Sequence, residues 1–73
     1  MKNKLLLIIN QIRLNNGLNV LDIISETDDL RSDIGFNSFD LAELTVRIED
    51  EFDIDIFEDG IVSTVGDILN KLK

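Results

Sequence analysis

The chain has 73 residues, fifteen acidic and seven basic side chains, and a net charge of −8. This length predicts one small domain, residues 1–73. The sequence contains no histidine and no cysteine, which removes the commonest general base and any disulfide or thiolate metal site. Nucleic acids and anionic membranes would repel such a charge, so we expect basic protein partners and no nucleic acid.

The first segment predicts an amphipathic helix. Its apolar residues recur at the i, i+3, i+4 and i+7 spacing of one helical face: Leu5, Ile8, Ile9 and Ile12. Gly17 follows and can take the left-handed conformation that ends a helix. The apolar run of residues 5–9 is too short for a signal peptide or a membrane span. We therefore expect no membrane insertion and a cytoplasmic location.

Residues 18–36 show a less regular pattern. Residues 20–24 fit either a helical turn or a short strand, and residues 25–29 have the composition of a loop. Leu30 and Ile34 are the expected anchors of this segment to the core. A loop of this length in so small a domain indicates either a functional role or a missed element.

Residues 33–41 introduce the most regular helical pattern in the chain. Asn37 can cap this helix, because its side-chain oxygen can accept a backbone N–H of the first turn. Asp40 suits that turn because the helix dipole favours negative charge there. Ser38 is then the first helical residue, where an attached phosphate would face unpaired N–H groups. Gly35 permits the sharp turn into the helix.

The second helix is predicted to run from Ser38 to about Phe52, with two apolar faces. One face is the core stripe, made of Leu41, Leu44, Ile48 and Phe52. The other is a smaller patch of Phe39 and Val46 beside carboxylates, with Ala42 at its edge. Single exposed apolar residues are ordinary, but this group beside the capped serine indicates a docking surface.

The remaining sequence predicts an extended connection and a last helix. Residues 53–57 alternate like a strand but have no pairing partner, so Ile54 and Ile56 are expected to point inward. Residues 58–63 allow at most one helical turn. Thr64 and Asp67 have the spacing of a capping box. The apolar stripe of the last helix follows: Val65, Ile68, Leu69 and Leu72.

Catalytic and metal chemistry find little support in these residues. A calcium loop starting at Asp53 would have Glu58 where glycine is required and Thr64 where glutamate is required. The chain has no glycine-rich phosphate loop. Ser38 has no histidine to activate it, which makes it a poor catalytic nucleophile. We therefore predict no catalytic residue and no metal site.

The run Asp-Ile-Gly-Phe-Asn-Ser-Phe-Asp-Leu-Ala-Glu-Leu at residues 33–44 resembles the modification site of acyl carrier proteins. Residues 30–33, 49–52 and 64–67 resemble further landmarks of that family in the same order. The resemblance covers nearly the whole chain and is strongest from Thr27 onward. Asn37 departs from the family's usual Asp-Leu-Gly-x-Asp-Ser-Leu-Asp, because it replaces the aspartate before the serine.

The resemblance implies an all-α fold, a small antiparallel bundle of three main helices plus one short helix. It also implies that Ser38 carries 4′-phosphopantetheine, moved from coenzyme A by a phosphopantetheinyl transferase. The thiol of this cofactor would hold acyl groups as thioesters for acyl-transferring, condensing or ligating enzymes. In such proteins the second helix is the docking face and the long first loop leads to the serine. We therefore expect a monomer that docks through Phe39, Glu43, Val46, Glu49 and Asp50.

Two other functions remain open from the sequence. One is a carrier-like domain that is no longer modified and acts as a binding adaptor. The other is an unrelated acidic interaction module, such as a mimic of nucleic acid charge. The carried group is open as well, since fatty acids, polyketide units, amino acids and cell-surface building blocks are all compatible. The neutral Asn37 favours a specialised pathway over primary fatty acid synthesis.

Overall fold

The computed structural model describes residues 2–58 and 60–72, which form three helices. The helices are α1 (Lys2–Asn15), α2 (Ser38–Phe52) and α3 (Val65–Lys71). The described residues contain no β-strand, and an isolated antiparallel bridge joins Asp29 to Thr64. The prediction of an all-α fold is therefore confirmed. No helix in this part of the chain has both the length and the apolar character that a bilayer crossing requires.

The first helix packs through its predicted apolar stripe, because Leu5, Ile8, Ile9 and Ile12 are all buried. The chain leaves α1 through Asn16, whose N–H donates to the Ile12 carbonyl oxygen at 3.1 Å. Gly17 follows with a φ of +78°, the left-handed conformation that the sequence predicts. This glycine ends the helix and starts the long loop.

The second helix has the predicted bounds and buries the middle of its core stripe. Leu44 and Ile48 are buried, and Leu41 and Phe52 pack half-buried against the core. The helix ends at Asp53, which has a φ of +58° and donates its N–H to the Glu49 carbonyl oxygen at 2.8 Å. A non-glycine residue in this conformation costs about 1 kcal/mol.

The loop between α1 and α2 contains neither a helix nor a strand at residues 20–24, so both alternatives predicted there are wrong. The physical reason is a pair of hydrogen bonds from α1. The Asn10 amide donates to the Leu21 carbonyl oxygen at 2.9 Å, and the Leu21 N–H donates to the Asn10 amide oxygen at 2.8 Å. One side chain of α1 therefore satisfies both backbone groups of Leu21, in the middle of this segment, which a strand or helical turn would have paired within the backbone.

The second half of this loop lies against the start of α3. Leu30 and Ile34 are buried as predicted, and Phe36 is buried beside them. We call the three backbone contacts across this junction the loop–α3 hydrogen bonds. The Leu30 N–H donates to the Ser63 carbonyl oxygen at 2.9 Å. The Val65 N–H donates to the Asp28 carbonyl oxygen at 3.0 Å, and the Gly66 N–H donates to the Glu26 carbonyl oxygen at 2.8 Å.

The described residues between α2 and the cap of α3, 53–58 and 60–63, contain no helix or strand. Ile56 is fully buried and Ile54 is half-buried, as their predicted inward orientation requires. Residues 56–58 form a turn, in which the Asp55 carboxylate accepts the Phe57 N–H at 3.0 Å. The single helical turn predicted for residues 58–63 falls partly on residue 59, which lies outside the described residues.

The last helix begins with the predicted capping box. The Asp67 N–H donates to the Thr64 hydroxyl at 3.1 Å, and the Thr64 N–H donates to the Asp67 carboxylate at 3.1 Å. The N–H groups of Ser63 and Thr64 hold the pKa of Asp67 below its ordinary value, because they stabilise the charged carboxylate. The apolar stripe lies inward as predicted, with Val65, Ile68 and Leu72 buried and Leu69 half-buried.

Gly66 is the residue on which the approach of the loop to α3 depends. A Cβ atom at this position would lie 2.8 Å from the carbonyl oxygen of Glu26 and 3.2 Å from its Cβ. We therefore expect Gly66→Ala to destabilise the fold by about 1–2 kcal/mol, although alanine is the better helix former. Urea unfolding measures the change, with exposed Asn70→Ala in the same helix as the control. An unchanged or raised midpoint for Gly66→Ala would contradict the steric argument.

Candidate functional site

Ser38 is the first residue of α2 and its side chain is exposed. Asn37 before it has extended backbone angles and accepts the Asp40 N–H on its side-chain oxygen at 2.9 Å. The Asp40 carboxylate in turn accepts the Asn37 N–H at 3.1 Å, which completes a capping box. These bonds fix the backbone on both sides of the serine. The hydroxyl therefore stands at the positive end of α2 and open to solvent.

Asp40 also links the start of α2 to the end of α1, which the sequence did not predict. Its carboxylate accepts the Asn16 amide at 2.9 Å, and the side chain is only 6% exposed. Each carboxylate oxygen thus has a donor, one from the cap and one from α1. The spacing of the cap was visible in the sequence, whereas the Asn16 partner depends on tertiary packing. Asn16 and Asp40 together fix the position of the serine relative to α1.

Arg31 contacts the serine directly, because its Nη2 donates to the Ser38 Oγ at 3.1 Å. The backbone beneath this arginine is held by Asp29, whose carboxylate accepts the N–H of Arg31 at 2.8 Å and of Ser32 at 2.9 Å. The N–H groups of Ser32 and Arg31 hold the pKa of Asp29 below its ordinary value. Asp29 is therefore charged at neutral pH and keeps this turn formed.

The other serines lack this setting. Ser25, Ser32 and Ser63 are exposed, but none is the first residue of a helix. Ser32 belongs to the turn that Asp29 holds, and Ser63 donates its N–H to the Asp67 carboxylate at 3.0 Å. Among the four serines, Ser38 alone therefore combines an exposed hydroxyl with a helix start, a cap and a cation within hydrogen-bond distance.

The second apolar face of α2 is exposed as predicted. Phe39 is 83% exposed and Val46 is 67% exposed. With Ala42 and Glu43 they line a shallow depression one turn beyond the serine. A second depression shares Val46 and is otherwise lined by Glu49, Asp50 and Asp53. We call the surface formed by these residues the outer face of α2: Phe39, Ala42, Glu43, Val46, Glu49 and Asp50.

One acid of this face is already paired within the protein. Arg47 donates to the Glu43 carboxylate at 2.8 Å and to the Gln11 side-chain oxygen of α1 at 2.9 Å. The sequence placed Glu43 among the charges that meet a partner, but Arg47 offsets it. Glu49 and Asp50 are exposed, and neither belongs to the Lys4–Glu51 or the Arg47–Glu43 ion pair.

A groove of about 160 Å³ opens beside the serine. It lies between the loop that carries Arg31, the core side of α2 and the segment before α3. Its lining combines Asp29, Arg31 and Ser63 with five apolar residues: Leu30, Leu41, Phe57, Ile61 and Val62. Within the described residues, no three acidic side chains come close enough together to hold a metal ion. The arrangement therefore offers one exposed hydroxyl in contact with Arg31, between a mostly apolar groove that Arg31 and Asp29 also line and the acidic, apolar outer face of α2.

Comparison with known proteins identifies the class. The family model described as the phosphopantetheine attachment site matches residues 7–72. The chain is also 36% identical over 59 residues to a protein named acyl carrier protein from Clostridium acetobutylicum. The aligned region covers 78% of this chain and 75% of that protein. No solved structure matches the chain.

The chain therefore belongs to the acyl carrier protein family, whose members bear a covalently attached 4′-phosphopantetheine. Proteins of this family are carriers and not catalysts. They dock with phosphopantetheinyl transferases and with acyl-handling enzymes. The predictions of family, cofactor and carrier function are confirmed.

Proposed function

We propose that Ser38 is the residue that carries 4′-phosphopantetheine. The observation that supports this most strongly is its exposed hydroxyl at the first position of α2, framed by the Asn37–Asp40 capping box. A phosphate on this oxygen fits the site, because the helix dipole and the Arg31 guanidinium both favour negative charge there. No other described serine offers these features together.

Attachment is a phosphoryl transfer that this chain cannot activate alone. The Ser38 Oγ forms a bond to the phosphorus of coenzyme A that bears pantetheine, and the bond from that phosphorus to the diphosphate bridging oxygen breaks. Adenosine 3′,5′-bisphosphate leaves. The hydroxyl proton passes to a base of the transferase, because this chain has no histidine to accept it. When bound, the prosthetic group supplies the thiol that holds acyl or related groups as thioesters.

The finer features of the fold are part of the same proposal. We take the three helices to be arranged antiparallel, with the turn at residues 56–58 in the place of the family's short extra helix. We also take the carrier to act as a monomer, which its charge of −8 supports, because like charge opposes self-association.

The direct test is incubation of the unmodified chain with coenzyme A and a phosphopantetheinyl transferase, followed by intact mass spectrometry. We expect the gain of one phosphopantetheine. An adaptor that is no longer modified would keep its mass, as would an acidic interaction module. Omission of coenzyme A is the control for adventitious adducts.

The outer face of α2 is the proposed docking surface for partner enzymes. Its apolar residues Phe39 and Val46 are exposed, in one depression with Glu43, and Val46 also lines a second depression with Glu49 and Asp50. Since Arg47 already offsets Glu43, we assign the steering of basic partners chiefly to Glu49 and Asp50. Apolar contacts at the centre of an interface mainly slow dissociation, whereas rim charges mainly speed encounter.

Two substitutions on this face should have different kinetic effects on binding of the transferase. We expect Val46→Ala to weaken binding about tenfold, mainly through faster dissociation. We expect Asp50→Lys to slow association and to reduce its dependence on salt. Stopped-flow association and dissociation kinetics measure both effects.

The controls are matched in chemistry and exposure. Leu7→Ala removes a residue of α1 that is 64% exposed, and Asp22→Lys makes the same charge change in the first loop. Leu7→Ala should not speed dissociation as Val46→Ala does, and Asp22→Lys should not slow association as Asp50→Lys does. If the two α2 variants bind like the wild type, or like their controls, the docking surface lies elsewhere.

A further inference from the structure

The contact between Arg31 and Ser38 joins two exposed side chains seven residues apart in the sequence. Exposed arginines ordinarily sample many rotamers, but the backbone of Arg31 is fixed by the Asp29 carboxylate, which accepts its N–H at 2.8 Å. The loop is in turn fixed to the segment before α3, because the Leu30 N–H donates to the Ser63 carbonyl oxygen at 2.9 Å. The guanidinium therefore extends from an ordered turn, which keeps its attachment point close to the serine.

Arg31 is also the cation near the serine whose guanidinium keeps N–H donors that no described side chain accepts. Between Asp22 and Asp67 the sequence has two bases, Arg31 and Arg47. Arg47 is occupied by Glu43 and Gln11. Within the described residues, Arg31 belongs to neither of the ion pairs found there, and its one side-chain hydrogen bond is to a neutral hydroxyl. A guanidinium has five N–H donors, so most of them have no side-chain acceptor in this part of the protein.

We infer that Arg31 is a positioning residue for the prosthetic group and pairs with its phosphodiester once Ser38 is modified, an inference that rests on the proposed function. The phosphorus is bonded directly to Oγ, so its non-bridging oxygens lie within reach of a donor that is 3.1 Å from Oγ. Modification replaces a hydrogen bond from the guanidinium to a neutral hydroxyl with an ion pair to the phosphodiester, in which donor and acceptor are both charged and two parallel N–H···O bonds can form. The prosthetic group thereby leaves Ser38 on the side of α2 that faces the loop carrying Arg31.

This pairing predicts that modification stabilises the fold through Arg31. We expect the modified wild type to melt about 4 °C above the unmodified form at low salt. Arg31→Gln should lose most of this difference and keep only the share that the dipole of α2 contributes, Arg31→Lys should keep more of it, and Arg47→Gln should keep all of it. Each variant is compared with its own unmodified form, so any change in basal stability cancels. High salt should reduce the wild-type difference, because the pair is exposed.

The ³¹P chemical shift of the phosphodiester is the second measurement. We expect it to differ between modified wild type and Arg31→Gln, and to move toward the Arg31→Gln value as sodium chloride is added to the wild type. The salt titration requires no variant to be modified. Equal melting differences in wild type and Arg31→Gln, or a ³¹P shift that responds to neither salt nor the substitution, would overturn the inference. If the wild type gains no mass with coenzyme A, the proposed function itself fails.

Discussion

Ser38→Ala is expected to abolish the mass gain from coenzyme A and transferase while leaving the fold intact. Attachment requires an oxygen nucleophile at the start of α2, and alanine has none, so the loss should be complete. The Ser38 hydroxyl is exposed and its side-chain partner is the exposed Arg31. The variant should therefore unfold within about 0.5 kcal/mol of the wild type.

Intact mass after a long incubation measures this loss, and thermal melting confirms that the variant is folded. Ser25→Ala, Ser32→Ala and Ser63→Ala are the matched controls, because each removes one exposed hydroxyl outside a helix start. All three should gain the mass of one prosthetic group. A modified Ser38→Ala protein would show that the proposed site is wrong, and loss of modification in one of the controls would point to that serine instead.

Asp40→Ala should cost more stability than any other single carboxylate removed from α2. This side chain is 6% exposed and accepts two hydrogen bonds, at 3.1 Å from the Asn37 N–H and at 2.9 Å from the Asn16 amide. Removal leaves both donors without this acceptor and withdraws negative charge from the first turn of α2. We expect a loss of about 2–3 kcal/mol, which is a large share of the stability of a small domain.

Thermal and urea unfolding measure this change, and the melting temperature should fall by roughly 10 °C or more. Asp50→Ala is the control, because it removes an exposed carboxylate from the same helix and should have little effect. The loss of stability for Asp40→Asn should lie between those for Asp40→Ala and Asp50→Ala, since the amide oxygen can still accept one of the two hydrogen bonds. A small loss for Asp40→Ala, similar to that of Asp50→Ala, would mean that the link to α1 contributes little.

The sequence predicted α2 almost to the residue because its determinants are local. The cap at Asn37 and the stripe through Leu44 and Ile48 lie within the segment itself. The same is true of α3, whose capping box and stripe span nine residues of the chain from Thr64 to Leu72. Helix starts and amphipathic faces are therefore readable when the partners are close in sequence.

The backbone course of the loop before α2 could not be predicted from local sequence. Its course depends on Asn10 holding Leu21 from eleven residues away and on the approach to Gly66 from across the fold. The same limit applied to the site. The serine, its cap and the exposed Phe39 were visible as a pattern, whereas the Arg31 contact and the burial of Asp40 depend on where the loop and α1 come to lie.

The loop–α3 hydrogen bonds also determine how this part of the molecule can open. Their donors come from both sides of one junction, from Leu30 in the loop and from Val65 and Gly66 in α3, so separation of the two segments breaks all three together. α3 has seven residues, too few to persist as an isolated helix in water. The loop and α3 therefore form one cooperative unit of local unfolding. Because Arg31 belongs to that loop, the surroundings of Ser38 share an opening equilibrium with α3, the shortest of the three helices that the described residues form.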